Sequence, residues 1–527
     1  MTERALGIQI SHFLKSKGVE VIFGIPGVHN QELYRGIEET GITHVLARHE
    51  QGVGFMADGY ARASGKPGIA FVITGPGLCN IMTPMGQAYS DSVPLLVISS
   101  CLDETAFRRG QLHQMLDQEG AARTVCDWSE TAKSYQAAYG LLERSFQEFV
   151  SNRPRPKHIQ VPISVLEGQA PPFKLKNTGT IPSFQNKAAI SEVAQRLSRA
   201  KRPLFILGGG AVKTNVMPLL IKCKAAAFST FAGRGLVPSS YPLYFGSSLA
   251  RPETAGVIAT ADLVIVLGSE LGEVDLWRDH LGHKAAMVRV DIDPEVLSDG
   301  QNAEVCIAMR VEEFVLSLLG ELKSGTLQST WDTEVIKRVR KSWIAQAAAI
   351  YPGILSAIRI LRDAMREDTL VYSDMTQFSY LAKEVWDMPK PSRWHHPYGF
   401  GTLGYALPAA IGGCTARPDL PVVAIVGDYG FQYTLPELGV AVELGLSLPI
   451  ILWDNQKLKA IEDSMVGAQI APTAVQAFNP DFCALANAYG AYSKWPTTVE
   501  ALKNDLECAH SAGKPTLIYL SSEDFTD

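Results

Sequence analysis

The chain lacks what would tie it to a membrane, a nucleic acid or an oxidising compartment. No stretch reaches the roughly 18 consecutive apolar residues of a membrane span, although 46% of the 527 residues are hydrophobic. No run of Lys and Arg appears and the formal net charge is −6, so neither nucleic acid nor an anionic membrane surface is expected as a partner. The 8 cysteines (Cys79, Cys101, Cys126, Cys223, Cys306, Cys414, Cys483 and Cys508) are scattered, without a CxxC pair. That argues against a disulfide frame or a zinc site and for reduced thiols. The opening stretch, MTERALGIQISHFLKSKGVEVIFG, reads as an amphipathic helix running into a strand. It has no apolar signal-peptide core, so a cytoplasmic protein is expected.

What is present is an alternation of short apolar runs with helical periodicity, the pattern of parallel sheets covered by helices. In residues 1–170 the strand-like runs are Val19–Phe23, His44–Ala47, Gly68–Ile73, Leu95–Ser99 and His158–Val161. A Pro-, Gly-, Thr- and Lys-rich linker follows, and a second unit, 186–325, has runs at Pro203–Leu207, Ala227–Phe231, Leu263–Leu267 and Met287–Asp291. Residues 325–350 read as a polar helical connector. A third domain, 350–527, carries runs at Leu370–Ser373, Val422–Val426, Pro449–Trp453 and Thr516–Leu520. The expected fold is α/β, with three doubly wound parallel-sheet domains.

The most informative stretch is VVAIVGDYGFQYTLPELGVAVELGLSLPIILWDN, residues 422–455. It is a strand–helix–strand unit with a helix stop at Gly445, and Gly427-Asp428 and Asp454-Asn455 fall at the two strand ends. In a parallel sheet those ends lie side by side, where open α/β folds bind ligands. An acid and an amide there offer hard oxygen ligands for Mg²⁺ or Ca²⁺ carrying a phosphate, or simply cap helices. Turns at Gly24-Ile25-Pro26-Gly27 and Thr74-Gly75-Pro76-Gly77 put backbone N–H groups at helix starts, to hold an anion or to pack closely. Gly208-Gly209-Gly210 reads as packing rather than as half a dinucleotide fingerprint. Glu50, on its own, is a helix-start acid.

Taken together, RHEQGVGFMADGYAR (residues 48–62), GPGLCN (75–80), GFGTLGYALPAAIG (399–412) and the GDYG…DN unit resemble thiamine diphosphate-dependent 2-oxo acid decarboxylases and acetolactate synthase-like carboligases, along essentially the whole chain. FGIPGVHNQELYRGI and NPDFCALANAYG are most similar to the 2-ketoarginine (5-guanidino-2-oxopentanoate) decarboxylase group. The resemblance implies a pyrimidine-binding, a middle and a diphosphate-binding domain, in that order. It implies Mg²⁺ held by Asp428, the Asn455 side chain and the Lys457 carbonyl. Gly427, Tyr429 and Gly430 would line the diphosphate, and Pro26, Gly27, Gly75 and Asn80 the other end of the cofactor. Glu50 would hydrogen-bond the pyrimidine ring nitrogen, the Gly401 carbonyl would receive the amino group, and Leu403 would support the bent cofactor. The resemblance implies that the cofactor would supply an ylid carbon as nucleophile toward the keto carbon and a ring to take up the electrons released with CO₂. His113 and Gln114 occupy the region that faces the reacting carbon in relatives, where a His suits proton transfer. His29 and His49 are further candidates by neighbourhood, and the His395-His396 pair reads as shaping the chain before Gly399 rather than as a proton relay. Because Glu50 and the metal set belong to different domains that meet across a subunit interface in this family, a homodimer or homotetramer is implied.

Three positions depart from the pattern. Tyr429 stands where a small residue is usual, Asp454 replaces the first Asn of an Asn-Asn pair, and Lys459 replaces a Gly and is expected to pair with Asp454. Altered cofactor binding in a repurposed family member is therefore one alternative. Carboligation of the acetolactate synthase type is another. FAD goes with some members of that branch and is the less favoured cofactor here. A substrate with a cationic tail would look to Glu462, Asp463 or Asp275.

Overall fold

The computed structural model describes residues 3–103, 110–174, 186–323 and 325–521. The chain divides into two compact units. One comprises Met1–Thr180, Leu370–Thr376 and His396–Ser521, the other Ile181–Thr369, Gln377–His395 and Ser522–Asp527.

The first unit contains two parallel sheets. One is built from β1 (Val21–Gly24), β2 (Thr43–Leu46), β3 (Gly68–Val72), β4 (Leu95–Cys101), β5 (Trp128–Thr131) and β6 (Lys157–Pro162), in the order β2-β1-β3-β4-β6-β5. Its strands are apolar throughout because both faces are covered: Ala70 and Val72 of β3 enter one core, Ile69 and Phe71 another. A two-residue antiparallel pairing of Arg4–Ala5 with Gln169–Ala170 ties the start of this region to its end.

The middle sheet, in the second unit, consists of β7 (Pro203–Leu207), β8 (Ala226–Ser229), β9 (Tyr244–Gly246), β10 (Leu263–Leu267), β11 (Ala286–Asp291) and β12 (Val305–Ala308). Their order is β9-β8-β7-β10-β11-β12, with all pairings parallel. Phe205 and Leu207 face one core, Leu204 and Ile206 the other. The stretch expected to be a polar connector is the helix Thr333–Ile350. It buries Ile336 and Trp343, seven positions apart on one face, against this sheet's core.

The other sheet of the first unit holds β13 (Leu370–Ser373), β14 (Val422–Gly427), β15 (Pro449–Asp454), β16 (Tyr492–Lys494) and β17 (Thr516–Ser521), ordered β13-β14-β15-β17-β16. All of these pairings are parallel. Its first, second, third, fifth and fourth strands run side by side, as do β1-β3-β4-β6-β5 in the first sheet.

Two helices join these sheets through one shared core. They are α1 (Glu50–Ser64), which follows β2, and α3 (Ala406–Ala416), which precedes β14; α2 (Pro76–Ser90) follows β3. A Cβ on Gly59 of α1 would lie 2.0 Å from the Ala409 carbonyl oxygen, and one on Gly412 of α3 would lie 1.9 Å from that of Met56. Glycine at both places lets the two backbones touch. Tyr405 Oη donates to Asp58 at 2.7 Å and Tyr372 Oη to the Gly59 carbonyl at 2.8 Å, so the buried phenols of this seam are satisfied.

Candidate active site

The first cluster gathers at the carboxyl edge of the first sheet. Glu50 is the first residue of α1, behind the N-cap His49, whose Nδ1 accepts the Gln51 N–H at 3.1 Å. Its carboxylate is buried, and Oε2 accepts a hydrogen bond from Asn80 Nδ2 at 2.8 Å. Asn80 reaches it from α2, whose start is shaped by Gly75 at φ 70° and by Pro76 in the first turn. Gly77 also leaves room, since a Cβ there would sit 2.8 Å from Ile73 Cγ2 and 3.3 Å from Glu50 Oε1. The Gly24–Gly27 turn is pinned by Asn30, which accepts the Gly27 N–H at 2.7 Å and donates to the Ile25 carbonyl at 3.1 Å.

His113 lies over the Gly75 turn in a left-handed conformation, φ 62°. Its carbonyl oxygen would be 2.4 Å from a Cβ on Gly75, and its ring meets that of His29 edge to face at 4.8 Å. Burial, and next the neighbouring His113, lower the His29 pKa, so this ring is neutral near pH 7. Gln114 lines a cavity of about 660 Å³ together with Thr74, Asp103, Gln118, Glu119 and Gln160. Sequence reasoning missed Gln118, which accepts the Gly75 N–H at 2.9 Å and donates to the Ser100 carbonyl at 2.9 Å and to Ser99 Oγ at 3.1 Å. Ser99 Oγ in turn meets buried His158 at 2.8 Å.

The second cluster lies at the carboxyl edge of the last sheet. Gly427 pairs with Trp453, so Asp428 and Asp454 follow side by side from β14 and β15. The helix starts at Asp428 itself: α4 (Asp428–Tyr433) has Gly427 as N-cap, and α5 (Glu437–Glu443) continues beyond a break at Pro436. Gly445, at φ 61°, stops it as expected. A Cβ on Gly430 would be 2.3 Å from Asp374 Oδ2, and one on Gly427 2.9 Å from Thr376 Cγ2. Asp374 also accepts the N–H of Gly404 at 2.9 Å, so one buried carboxylate touches both the Gly430 turn and the Gly401–Gly404 turn. Burial pushes its pKa up to about 7. Gly401 and Gly404 have φ of 66° and 80°. The turn before Leu403 is fixed further by Asp91, which accepts the Gly399 N–H at 2.9 Å, and by Gln87, which accepts the Thr402 hydroxyl at 3.0 Å. Leu403 is half-buried.

Asp428 and Asp454 are both buried, and a single amide stands between them. Asn479 Nδ2 donates to Asp428 Oδ2 at 2.7 Å and to Asp454 Oδ1 at 2.9 Å. Asp454 also accepts the Gln456 N–H and the Tyr519 hydroxyl, each at 2.9 Å. Burial raises the Asp428 pKa to about 6, with Asp454 adding to the rise. The expected Lys459–Asp454 pair does not form. Lys459 opens α6 (Lys459–Gly467), where Asp463 and Glu462 lie one turn on, and it pairs with them instead. Lys457 also pairs with Glu462 at 3.3 Å. Two of the acids considered for a cationic tail are thus already engaged, and Asp275, in the other unit, accepts the Phe231 N–H at 3.2 Å. Asn455 Oδ1 accepts the Lys457 N–H at 3.3 Å. Tyr429 is half-buried, and its hydroxyl makes no hydrogen bond among the described residues. His396 Nδ1 bonds Ser373 Oγ at 2.9 Å, which supports its reading as a shaper of the chain before Gly399.

No hydrogen bond or ion pair among the described residues links Glu50 with Asp428 or Asn455. The donors fit a hard divalent ion carrying a phosphate. A carboxylate and an amide stand on adjacent strand ends, beside glycine turns that Cβ atoms would fill. No cluster of three or more His, Cys, Asp or Glu suited to a metal exists among the described residues.

Comparison with known proteins gives the family. The N-terminal TPP-binding domain of thiamine pyrophosphate enzymes matches residues 4–121, the central domain 190–318 and the C-terminal TPP-binding domain 374–520. A probable 2-ketoarginine decarboxylase, AruI, of Pseudomonas aeruginosa is 40% identical over 527 residues, covering 98% of this chain and 93% of its own. The acetolactate synthase isozyme 2 large subunit of Escherichia coli is 28% identical over 98% of this chain and 95% of its own. A probable acetolactate synthase large subunit of Methanocaldococcus jannaschii is 25% identical over 96% and 90%. The chain therefore belongs to the thiamine pyrophosphate enzymes, in the group of decarboxylase and acetolactate synthase-like members.

Proposed function

We propose that this protein is a thiamine diphosphate- and Mg²⁺-dependent lyase that removes CO₂ from a 2-oxo acid without net oxidation, with 2-ketoarginine the first substrate to test. The observation that carries the reading is the buried Glu50 carboxylate held by Asn80 at 2.8 Å over a glycine turn at the carboxyl edge of a parallel sheet. Thiamine diphosphate, when bound, supplies a nucleophilic carbon and an acceptor for the electrons released with CO₂. The domains 1–170, 186–325 and 350–527 would be its pyrimidine-binding, middle and diphosphate-binding domains.

Each residue's task follows from its setting. Glu50 would hydrogen-bond the pyrimidine nitrogen, beside Pro26, Gly27, Gly75 and Asn80. The Gly401 carbonyl would take the amino group, with Leu403 beneath the cofactor. Asp428, Asn455 and the Lys457 carbonyl would hold Mg²⁺. The turn formed by Gly427, Tyr429 and Gly430 would face the diphosphate. His113 would pass a proton to the reacting carbon with Gln114 beside it, and the neutral His29 ring would hold His113 in place.

A homodimer or homotetramer would bring Glu50 of one copy to Asp428 of another. One observation supports this: α6, which carries Ile461 and Val466 at 49% and 58% exposure, buries none of its side chains. Sedimentation of the purified protein tests it. A cytoplasmic setting accords with the eight free cysteines. Among the described residues no single helix is long and apolar enough to cross a membrane, and the helices Thr333–Ile350 and Ile354–Ala364 pass by length and composition only as a pair bent by 115°.

The second reading is carboligation, favoured by Gln114 at the cavity edge and by the acetolactate synthase relatives. Its FAD would sit by the glycine triplet. A Cβ on Gly208 would lie 2.1 Å from the Gly268 carbonyl oxygen, however, and this supports the packing reading of that turn. A CO₂-release assay over a panel of 2-oxo acids, with Glu50→Gln as control, tests the proposal. Release that is indifferent to Glu50, or none with any acid, refutes it; acetolactate formation by a yellow protein selects the second reading.

A further inference from the structure

Two buried carboxylates on neighbouring strand ends repel each other and, left free, would both face a cation brought to that edge. Here Asn479 spends its two amide hydrogens on them, at 2.7 Å to Asp428 Oδ2 and 2.9 Å to Asp454 Oδ1. Its own oxygen accepts from Gln432 Nε2 at 3.3 Å, and Gln432 donates to the Asp428 backbone carbonyl at 3.1 Å, so the amide cannot turn over without losing partners. Asp454 is held on its far side by Tyr519 Oη at 2.9 Å. Only Oδ2 of Asp428 goes to the bridge. Asp454 has both of its oxygens engaged with Asn479, Gln456 and Tyr519.

Resting on the thiamine diphosphate–Mg²⁺ reading above, we propose that Asn479 is a positioning residue that sets metal selectivity: it limits Asp428 to one ligating oxygen and keeps Asp454 away from the ion. The chemistry of the ions supplies the link. Mg²⁺ is small and takes six ligands in a strict octahedron, whereas Ca²⁺ takes six to eight oxygens and accepts two-oxygen carboxylates readily. With Asn479 in place the protein offers few, well-separated oxygens, which suits Mg²⁺. Without it, two carboxylates with up to four oxygens can converge on one ion, which suits Ca²⁺. Asp454 is the residue that makes a guard necessary, because an amide at that position carries no charge to be drawn in.

The test is calorimetric titration of the full-length, metal-free protein with Mg²⁺ and with Ca²⁺, thiamine diphosphate present, for the unaltered chain, Asn479→Ala, Asp454→Asn and the double variant. Metal-free melting curves check that each is folded. Asn479→Ala is expected to move the ratio of Ca²⁺ to Mg²⁺ affinity by about tenfold or more toward Ca²⁺, and adding Asp454→Asn to return most of that change. Asp454→Asn alone should leave the ratio within about threefold, and this arm decides the matter if Asn479→Ala does not fold. An equal loss of both affinities in Asn479→Ala would reduce Asn479 to a structural role and overturn the proposal. So would a large shift from Asp454→Asn alone, because Asp454 would then be a ligand. Absence of metal-dependent binding in the unaltered chain would instead overturn the cofactor reading itself, in the arm without substitutions.

Discussion

Glu437 offers a quantitative check on the join between the first sheet and the last. Its carboxylate is buried to 1% exposure and accepts the N–H groups of His49 at 3.0 Å and Arg48 at 3.2 Å, at the turn that presents Glu50. Two opposing effects act on it. Burial disfavours the charged form, while the two N–H groups and the Arg48 charge favour it; burial prevails, and the pKa rises from the ordinary 4.5 to about 7. At roughly 1.4 kcal/mol per tenfold change, that gap makes the ionised group cost about 3 kcal/mol. The folded chain keeps a proton that the unfolded chain has already released, so stability falls as pH rises from 4.5 toward about 7. Glu437→Gln keeps an acceptor for the two N–H groups and removes the ionisation. Its new amide donor costs about 1–3 kcal/mol if it finds no partner, but that cost is the same at every pH. The quantity to follow is therefore the change with pH, between 5 and 8, of the difference in urea-unfolding free energy between the two proteins. Other titrating groups, Asp374 among them, cancel in this difference. The difference should grow in favour of the variant by about 3 kcal/mol across the window. Parallel profiles, or a difference that moves the other way, would refute the claim that burial outweighs the hydrogen bonds.

Gly412→Ala should cost about 1–3 kcal/mol or more in denaturant titrations, because its Cβ would lie 1.9 Å from the Met56 carbonyl. Gly140→Ala, in a helix with nothing within 4 Å of the added atom, should stabilise by about 0.5–1 kcal/mol in the same experiment. Asn80→Ala should lower kcat by roughly 10- to 100-fold, the worth of a hydrogen bond to a charged group, with little change in melting temperature. His158, fully buried between Ser99 and Ser129, has its pKa pushed down to about 3 by burial alone. The unfolded chain takes a proton that the folded chain refuses, so stability falls as pH drops below the ordinary 6.5. His158→Gln should flatten that acid limb of the melting profile even while lowering stability at neutral pH.

Much of the fold was legible because its signals are local. Runs such as Leu263–Leu267 and Pro449–Trp453 are apolar throughout because helices cover both faces of their sheets, and length and glycine breaks mark their ends. The glycines at 75, 77, 401 and 430 announce tight turns or places where a neighbouring group comes close, which sequence can show. What they approach is a tertiary fact. Asn479 stands 51 positions from Asp428, and nothing in NPDF says that its amide faces two carboxylates. Gln118 and Glu437 were missed for the same reason, since each acts through a backbone N–H of a distant segment. The error over Lys459 was avoidable. Acids three and four positions ahead on a helix outcompete one behind a strand end, and that spacing was visible. The helix Thr333–Ile350 is polar and helical as its composition suggests, and two large residues on one face seat it against the middle sheet.

The Gly59–Gly412 seam has a mechanical consequence. Ordinary helix pairs meet through a layer of side chains that can shift rotamers and let one helix slide past the other. Here carbonyl oxygens abut bare α-carbons on both sides, and there is no deformable layer to absorb a shift. The start of α1, with Glu50, and the turn leading into α3, with Gly401, therefore keep a fixed spacing within one chain. A displacement that admits a ligand is taken up by segments outside the seam, and α6, with none of its side chains buried in this chain, is one of them.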